Sequence, residues 1–488
     1  MKKEVKKVFV LMLVCLVVLG SCGDKEEDFS ITVMTELFPV YGTESEEAWL
    51  ETIEQETNVD LQVTMIPTLE YVSAVERLIR GNRLPMVLTV NETILRKESF
   101  ASYLAVGGFW TLDDYLDDYP ELKEFVGEEI WENSRIQGHI YGIPRLRVPT
   151  RSAAFYRKDW AEALGIAPPR NLEELYAMLK AFTLEDPDGN GENDTVGLVN
   201  TWQDDGARHW NGIQMITVAL GGPNGWRYEE AEEQMIPDFS TENYMEMLYW
   251  FRNLYQEGIL DPTFAFLTAV QRQELFIEGY AGMIFSVIDD AEKLQTQMRQ
   301  IDGNAEIGIL PMIEGPDGIY RINGNAEYNG LIVFNRQGQG AIEKEEQLRE
   351  VLRFYNTMCG EQGQELLKLE QGESNSYVQF MPRPVYVRRP DDSPLQSEVY
   401  DTMEERKSYV VPDDSQGLYS ETYVRLGDVL NERIRKASIQ FIMGEIGEDY
   451  FREEYRWWYD NGGGDVIKEY TEGYREKRKI QSGGIADR

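Results

Sequence analysis

The sequence predicts an α/β protein of two lobes, each lobe formed by a doubly wound sheet. Two observations lead to this prediction. The chain has 488 residues, and a single hydrophobic core rarely extends over so long a chain, so two lobes are expected. From residue 31 onward, short β-branched segments alternate with amphipathic helical segments. Such alternation is typical of parallel strands that are joined by helices on the faces of a sheet.

The alternation is clearest in residues 31–90. Apolar residues repeat there with the period of a strand or of a helix, which predicts strands at 31–35, 59–66 and 86–90 and helices at 44–56 and 69–80. Doubly wound sheets bind their ligands at the carboxyl ends of the strands. Glu36 follows the first strand and Asn91 follows the third, so both are predicted to bind the ligand.

The chain is predicted to pass between the lobes three times. Residues 140–144 leave the first lobe as an extended strand, because a proline disfavours a helical residue before it. A strand at 331–335 returns, and residues 381–384 cross again. Lobe one would then comprise 31–145 and 331–382, and lobe two 146–330 and 383–488.

Crossings that lie side by side at one waist predict a hinge that closes the lobes around a ligand. Arg145 lies just past the first crossing, and Tyr328 lies just before the return strand. Both are therefore predicted to bind the ligand.

The N-terminus has the order of features of a bacterial lipoprotein signal. Lysines at positions 2, 3, 6 and 7 precede an uncharged apolar run at 8–19, which is too short to span a membrane comfortably. The run ends in Leu-Gly-Ser-Cys, which resembles the lipobox whose cysteine is diacylated. Residues 1–21 are thus a predicted signal peptide, and residues 22–30 a tether attached through Cys22 to lipid that includes palmitate. An ordinary signal peptide that ends near Cys22 is the alternative.

Composition excludes several partners. The net charge of −38 repels nucleic acid and anionic lipid, so neither is expected to bind. Of three cysteines, Cys15 leaves with the signal and Cys22 carries the lipid, so Cys359 has no partner for an intrachain disulfide. No second apolar run reaches membrane-spanning length. The lipid is therefore the only expected attachment, at the outer face of the cell membrane.

Residues 186–194 are rich in oxygen side chains and resemble the first part of an EF-hand calcium loop. The predicted ligands are the side chains of Asp186, Asp188, Asn190 and Asp194 and the backbone carbonyl of Glu192. Gly197 stands where the pattern has a bidentate glutamate, so Thr195, water or a distant carboxylate would complete the site. We expect a structural calcium ion outside the cleft, and a simple turn of Asp, Asn and Gly residues is the alternative.

Three tryptophans, Trp202, Trp210 and Trp226, lie in polar, glycine-bearing segments instead of on helical apolar stripes. Carbohydrate sites combine flat apolar faces with planar hydrogen-bonding groups, and tryptophan supplies such a face. The three are candidate ligand-binding residues, and at least one is expected to line the cleft. Packing in the core is the alternative for each of them.

Catalysis finds little support in the sequence. The two histidines, His139 and His209, form no cluster that would hold zinc. The motifs of serine hydrolases, phosphate-binding loops and dinucleotide-binding folds do not occur. Pairs of acidic residues carry no signal in a chain that has 86 acidic residues. The protein is therefore predicted not to be an enzyme.

Several short motifs follow one another along the chain. They are GGFW at 107–110, LDDYL at 112–116, IYGIP at 140–144, YRKDW at 156–160, LYQEGIL at 254–260 and GYAGM at 279–283. Their order and spacing resemble the extracellular solute-binding proteins of ABC importers, in particular the large lipoproteins that serve oligosaccharide uptake. The resemblance implies a periplasmic-binding-protein-like fold. It also implies a monomer that delivers a small solute, a sugar, to the permease of an ABC transporter.

Other functions stay open beside this resemblance. A carbohydrate-active hydrolase or lyase would share aromatic loops and a calcium site. A binding subunit that reports to a sensor kinase, or one that captures peptide, is a further alternative. Because the sequence has no nucleotide-binding loop, ATP hydrolysis in an importer would belong to a separate subunit.

Overall fold

The structure is a computed structural model that describes residues 29–37, 44–202, 212–324, 327–369, 377–382, 388 and 392–483. Its strands are β1 Phe29–Leu37, β2 Val59–Pro67, β3 Val87–Val90, β4 Gly142–Leu146, β5 Ser152–Arg157, β6 Val196–Val199, β7 Trp226–Glu229, β8 Gln234–Pro237, β9 Ala281–Val287, β10 Ile307–Ile309, β11 Ile322–Asn323, β12 Tyr328–Phe334 and β13 Val410–Val411. The first sheet has the order β2-β1-β3-β12-β4, and the second has the order β10-β5-β9-β6. Two small sheets pair β11 with β13 and β7 with β8. The predicted α/β architecture with two sheets is confirmed.

Helices connect and cover these strands. They are α1 Glu44–Thr57, α2 Thr68–Gly81, α3 Glu92–Leu95, α4 Glu98–Ala105, α5 Pro120–Val126, α6 Glu128–Asn133, α7 Lys158–Ala163, α8 Leu172–Leu184, α9 Ile213–Ala219, α10 Glu242–Gln256, α11 Ala269–Ile277, α12 Ala291–Ile301, α13 Glu345–Cys359, α14 Glu361–Leu369, α15 Pro394–Arg406, α16 Glu421–Met443, α17 Glu448–Trp458 and α18 Gly464–Gly483. Several begin at a side chain that accepts a backbone N–H of the first turn, such as Asn171 before α8 and Ser420 before α16. Within the described ranges, no helix is both long and apolar enough to cross a membrane.

Both main sheets are mixed, which differs from the predicted parallel sheets. In the first sheet β1 pairs in parallel with β2 and β3, as predicted. However, β12 pairs antiparallel with β3 and β4, because it returns from the second lobe instead of through a crossover helix. In the second sheet β5 pairs antiparallel with β9 and β10, whereas β6 pairs in parallel with β9.

Helices cover both faces of each sheet. In β1, Ile31 and Val33 pack in one hydrophobic cluster with α1 and α13, whereas Met34 packs in another with α2 and α4. In β5, Phe155 and Tyr156 likewise lie in different clusters. This alternation follows from the two-residue period of a strand. Each sheet therefore has its own hydrophobic core. Burial of one large apolar side chain in such a core contributes about 1.5–3 kcal/mol to stability.

One edge of the first sheet matters for function. The carboxyl ends of β1, β3 and β4 and the amino end of β12 meet there. We call this edge, with the residues that follow each strand, the cleft edge. It faces the second lobe, because the segment that follows α3 contacts α16, which packs in the core of the second lobe.

Candidate ligand-binding cleft

Three of the predicted ligand-binding residues, Glu36, Asn91 and Arg145, lie together at the cleft edge. Glu36 is near the end of β1, Asn91 directly follows β3, and Arg145 is near the end of β4. Asn91 Nδ2 donates a hydrogen bond of 2.8 Å to Glu36 Oε1. The charges of Glu36 and Arg145 are close enough for each to shift the pKa of the other. The structure thus brings these residues to one place, and their contact with a ligand stays a prediction.

Asn91 is held at both ends of its side chain. Its Oδ1 accepts a hydrogen bond of 3.0 Å from the backbone N–H of Ile94 and so caps α3. Its Nδ2 in turn orients the Glu36 carboxylate, which is only 4 % exposed. Burial raises the pKa of Glu36, and the charge of Arg145 and the hydrogen bond from Asn91 offset this in part. The two planar groups are therefore fixed before any ligand arrives.

A layer of hydroxyl groups lies behind these residues. Tyr71 on α2 donates a hydrogen bond of 2.7 Å to the backbone carbonyl of Thr89, and the hydroxyls of Thr35 and Thr89 share one of 3.1 Å. All three side chains are buried. Burial raises the pKa of Tyr71, so its hydroxyl stays protonated and acts as a donor. These bonds join α2, β1 and β3 directly behind Glu36.

Arg145 is a buried arginine with 5 % of its surface exposed. Its Nη2 donates to Gln379 Oε1, and Arg147 Nη2 donates to the same oxygen at 3.0 Å. Burial lowers the pKa of Arg145, and the negative charge of Glu36 offsets this in part. In the described part of the chain, Arg145 Nε has no hydrogen-bond partner. The cleft edge therefore holds a guanidinium whose donors are not all used.

Tyr328 begins β12 opposite Leu146 of β4. Its side chain is partly buried, and its hydroxyl donates a hydrogen bond of 2.9 Å to the carbonyl of Asn133. Two residues on, Gly330 has a φ of 82°, and a Cβ at this position would lie 1.9 Å from the carbonyl oxygen of Val90. Glycine thus allows β12 to pass close to the end of β3. Tyr328 lies at the cleft edge, with its hydroxyl engaged by the protein.

The two lobes touch across the cleft. The Arg96 guanidinium lies 5.6 Å from the ring centroid of Tyr423 on α16, and Lys97 Nζ lies 2.6 Å from Asp428 Oδ2 on the same helix. Asp413 in the second lobe is close to Arg96 as well. Burial raises the pKa of Asp413 to about 6, against hydrogen bonds from its own turn and the charge of Arg96. Charged groups from both lobes therefore meet beside the predicted site.

Sequence reasoning missed Arg147, Gln379 and the residues that bridge the cleft. One signal was available: Arg147 is two positions after Arg145 in an extended segment, so the two side chains point to the same side. Gln379 carries no local signal, because 234 positions separate it from Arg145. Only the fold brings Gln379 next to Arg145.

Two of the three candidate tryptophans, Trp202 and Trp226, lie in the core of the second lobe. Trp202 is 2 % exposed, and the rings of Phe251 and Phe264 pack edge-on against it at centroid distances of 5.0 and 5.6 Å. Trp226 is 8 % exposed and lies 5.0 Å from the Tyr470 ring. Aromatic residues of the same lobe enclose both rings, so core packing, the alternative left open, describes their placement. A role in stacking on a sugar stays a prediction.

Two predicted residues lie outside the described residues. Trp210 belongs to the segment 203–211, and Cys22 belongs to residues 1–28. The third stacking residue and the lipid attachment therefore stay predictions.

The oxygen side chains of the loop at 186–194 are exposed and form hydrogen bonds within the loop. Gly191, with a φ of 85°, donates a hydrogen bond of 3.1 Å to the Asp186 carboxylate. Asn190 Nδ2 donates to Asp188 Oδ2 at 2.8 Å and to Asp194 Oδ1 at 3.3 Å. Partial burial and the neighbouring charges of Asp186 and Asp194 raise the pKa of Asp188. The amide of Asn190 thus stands among carboxylates that repel one another, an arrangement that a cation would relieve.

The loop nevertheless does not contain a formed ligand cluster. Over the ranges that the structure covers, no three side chains of His, Cys, Asp or Glu gather as a metal-binding group. Glu192, whose backbone carbonyl is a predicted ligand, donates its backbone N–H to Asn190 Oδ1 at 2.7 Å. The donor set fits calcium by its chemistry and by the turn at Gly191.

The fold has counterparts among solved structures. One is the ABC-transporter substrate-binding protein FusA of S. pneumoniae, an EF-hand mutant in complex with fructo-nystose, which superposes with a TM-score of 0.66. It is 16% identical in sequence and covers 92% of this chain and 100% of that chain. At this identity the likeness shows the shared two-lobed fold.

The sequence also aligns with two proteins of Bacillus subtilis (strain 168). Lipoprotein LipO is 27% identical, over 98% of this chain and 100% of LipO. The polygalacturonan/rhamnogalacturonan-binding protein YtcQ is 27% identical, over 88% of each chain. The sequence profile of the family described as "Bacterial extracellular solute-binding protein" matches residues 41–365, most of the chain. The protein therefore belongs to the bacterial extracellular solute-binding proteins, the family that its motifs resemble.

Proposed function

We propose that this protein captures an oligosaccharide between its two lobes and delivers it, as a monomer, to the permease of an ABC importer. Two similar proteins support a carbohydrate ligand. YtcQ is named for binding polygalacturonan and rhamnogalacturonan, and FusA is an ABC-transporter substrate-binding protein seen with fructo-nystose. The permease as partner follows from the same likeness.

The observation that carries the proposal is the set of planar polar groups at the cleft edge. Glu36, Asn91 and Arg145 lie on rigid strand ends, and the bond of 2.8 Å between Asn91 and Glu36 fixes two of them in advance. One carboxylate, amide or guanidinium can hydrogen-bond two neighbouring sugar hydroxyls at once. Groups held in place before binding lose little entropy when the ligand arrives, which favours affinity.

A hydrolase or lyase is the competing function, and we propose that the protein has no catalytic activity. YtcQ and FusA are named as binding proteins. A glycoside hydrolase needs two carboxyl groups about 5–10 Å apart, one to donate a proton and one to attack or to activate water. The groups that act on Glu36 are the amide of Asn91 and the guanidinium groups of Arg145 and Arg147, with hydroxyl groups behind them. These neighbours suit binding of sugar hydroxyls better than proton transfer.

A thermal-shift screen of the whole protein against mono- and oligosaccharides tests the proposal. A ligand that binds only the folded state raises the melting temperature, with about 2.7 kcal/mol of stabilisation at a hundredfold excess over Kd. Asn91→Ala should abolish the shift while the protein stays folded. Chromatography of the same mixtures detects products, and turnover would identify an enzyme. Stabilisation by peptides alone would also contradict the proposal.

We further propose that the mature chain begins at Cys22 and is held by lipid at the outer face of the membrane, with the lobe boundaries predicted above. Similarity to lipoprotein LipO along nearly the whole chain supports the anchor. Cys22→Ala should give protein that lacks lipid and is either released or kept as an unprocessed precursor. Normal processing with unchanged membrane attachment would exclude the anchor.

Finally, we propose that the loop at 186–194 binds one structural calcium ion. FusA supports this, since its solved structure is that of an EF-hand mutant. Chelation should lower the melting temperature, because a bound ion adds its binding free energy to the native state. Asp188→Ala should remove the response to calcium, whereas Glu192→Ala should keep it, because Glu192 offers only its backbone. A melting curve indifferent to chelator would rule out the site.

A further inference from the structure

Arg145 is a buried positive charge without an ion pair. Its exposed fraction is 5 %, and its hydrogen-bond acceptor is the neutral amide oxygen of Gln379. Among the described residues, no carboxylate forms an ion pair with it, and its Nε has no hydrogen-bond partner. Burial removes the hydration of a guanidinium, which costs free energy. A hydrogen bond to a neutral amide offsets only part of this desolvation cost.

Glu36 does not complete this site. Its charge acts on Arg145, but its Oε1 already accepts the hydrogen bond from Asn91. Burial raises the pKa of Glu36, while the charges of Arg145 and Arg147 and the hydrogen bond from Asn91 act in the opposite direction. The protein therefore places a carboxylate close to Arg145 and keeps it oriented towards Asn91.

A second guanidinium stands beside the first. Arg147 donates to the same oxygen of Gln379, at 3.0 Å, so one amide holds both arginines side by side. Two adjacent positive charges at the strand ends, where ligands of such sheets bind, favour an anion. The chain as a whole has a net charge of −38 and repels anions. An anionic ligand therefore needs a local positive site of this kind.

We infer that Arg145 recognises a carboxylate of the solute, so that the solute class is an acidic oligosaccharide built with uronic acids. The planar fork of a guanidinium matches a carboxylate in two parallel hydrogen bonds, which gives specificity as well as affinity. In the complex, the free Nε of Arg145 gains an acceptor and the buried charge gains a counter-charge. This inference rests on the proposed capture of oligosaccharides.

The test uses the unaltered protein with charged probes and their neutral forms. Trimers of galacturonate, mannuronate, guluronate and glucuronate-substituted xylose are titrated by calorimetry, each beside its methyl ester. At least one acid should bind about 10- to 100-fold more tightly than its ester, the range for a charge-assisted hydrogen bond. The ratio should fall as salt rises from low to high concentration, because ions screen the attraction.

Variants then assign the effect to Arg145. Arg145→Gln should bring the ratio of acid to ester affinity close to one, and Arg145→Lys should keep part of it. Arg349→Gln is the matched control, since Arg349 is an exposed arginine of α13 that pairs with Asp118 at 2.7 Å. It should keep the full ratio. Melting temperatures of all variants show whether each one folds.

The outcomes separate this inference from the proposed function. Binding of neutral oligosaccharides without preference for any acid would overturn the inference and leave the function standing. Failure of every oligosaccharide to bind would overturn both. Tighter binding of maltotriose phosphate, titrated in the same way, than of any uronate trimer would overturn the ligand class. A full ratio in Arg145→Gln would overturn the role of Arg145. If Arg145→Gln does not fold, Arg145→Lys and the unaltered protein still decide.

Discussion

Arg157 and Arg145 are buried arginines at strand ends, one in each lobe, and they differ in the charge of their hydrogen-bonding partners. Arg157 is 4 % exposed, and its Nε and Nη2 donate to the two carboxylate oxygens of Asp159 at 2.9 and 2.5 Å. Its Nη2 lies 3.3 Å from Asp302, and its guanidinium stacks 4.5 Å from the Trp160 ring centroid. Arg145 has none of these partners.

The difference separates a structural charge from a binding charge. Asp159 neutralises Arg157 from two positions away in the sequence, so this site is complete in the folded chain. Arg145 is completed only by a neutral amide from a distant segment, which leaves capacity for a ligand. A similar contrast separates two regions. We call the second-lobe core, where aromatic rings of the same lobe surround Trp202 and Trp226, the enclosed region; it differs from the cleft edge, where Arg145 lacks an ion pair.

Replacing a residue of the enclosed region should have the largest effect. Trp202→Ala removes a ring that packs against Phe251 and Phe264, and we expect a loss of about 3–5 kcal/mol of stability. Urea unfolding measures this, and titration shows whether the folded protein still binds oligosaccharide with parental affinity. Phe266→Ala is the control, because this ring is 71 % exposed. Unchanged stability with lost affinity would instead place Trp202 against the ligand.

The two arginine sites should respond in opposite ways to the loss of a charge. Asp159→Asn leaves Arg157 buried with a weaker partner, and we expect a loss of about 3 kcal/mol. Arg145→Met removes a buried charge that has no ion pair, so stability should stay within about 1 kcal/mol of the parent or rise. Urea unfolding compares both variants. Equal losses would mean that Arg145 is as structural as Arg157.

Local pattern predicted the first lobe better than it predicted the site as a whole. Helices at 44–56 and 69–80 and the strand at 31–35 match α1, α2 and β1 to within two residues at each end. Apolar periodicity is a local property, and parallel pairing then brings strand ends together. For this reason Glu36 and Asn91 were found from sequence.

Features that depend on distant segments were not found. The antiparallel return of β12 depends on pairing with β3 and β4, which no local pattern encodes. Trp202 looked available because its own segment is polar, whereas the rings that bury it come from α10 and from a later loop. Gln379 reaches Arg145 in the same way. Sequence thus predicts which residues end a strand, and only the fold shows what surrounds them.

A smaller effect should come from Asp413, whose pKa is raised by burial to about 6 from 3.8. Arg96 and hydrogen bonds from Ser415 favour its charged form, and Glu92 opposes it. Because the folded pKa is raised, protonated Asp413 contributes stability below about pH 4, and this is lost as pH rises through 6. Relative to Asp413→Asn, the parent should lose about 1–2 kcal/mol between these pH values, allowing for partial solvent access.

Urea unfolding across the pH range measures this difference. The control is Asp317→Asn, since hydrogen bonds from Arg321 lower the pKa of Asp317 to about 2. Its effect has the opposite sign and occurs in acid, as pH falls towards 2. A pH profile of Asp413→Asn that runs parallel to the parent would show that the second-lobe side of the cleft carries no strained charge.

The smallest expected effect concerns the ion pair that joins the lobes, Lys97 with Asp428. Its atoms are 2.6 Å apart, but the Asp428 side chain is 84 % exposed, so the pair should contribute only about 0.5 kcal/mol and weaken with salt. A double-mutant cycle of Lys97→Met and Asp428→Asn measures this coupling, and oligosaccharide affinity should change by about twofold at most. The reason is that Arg145 at the cleft edge lacks an ion pair, so we expect ligand binding, and not this surface ion pair, to hold the two lobes together. Coupling above about 2 kcal/mol would show that the chain closes its own cleft, and the cleft edge would then be as self-sufficient as the enclosed region around Arg157.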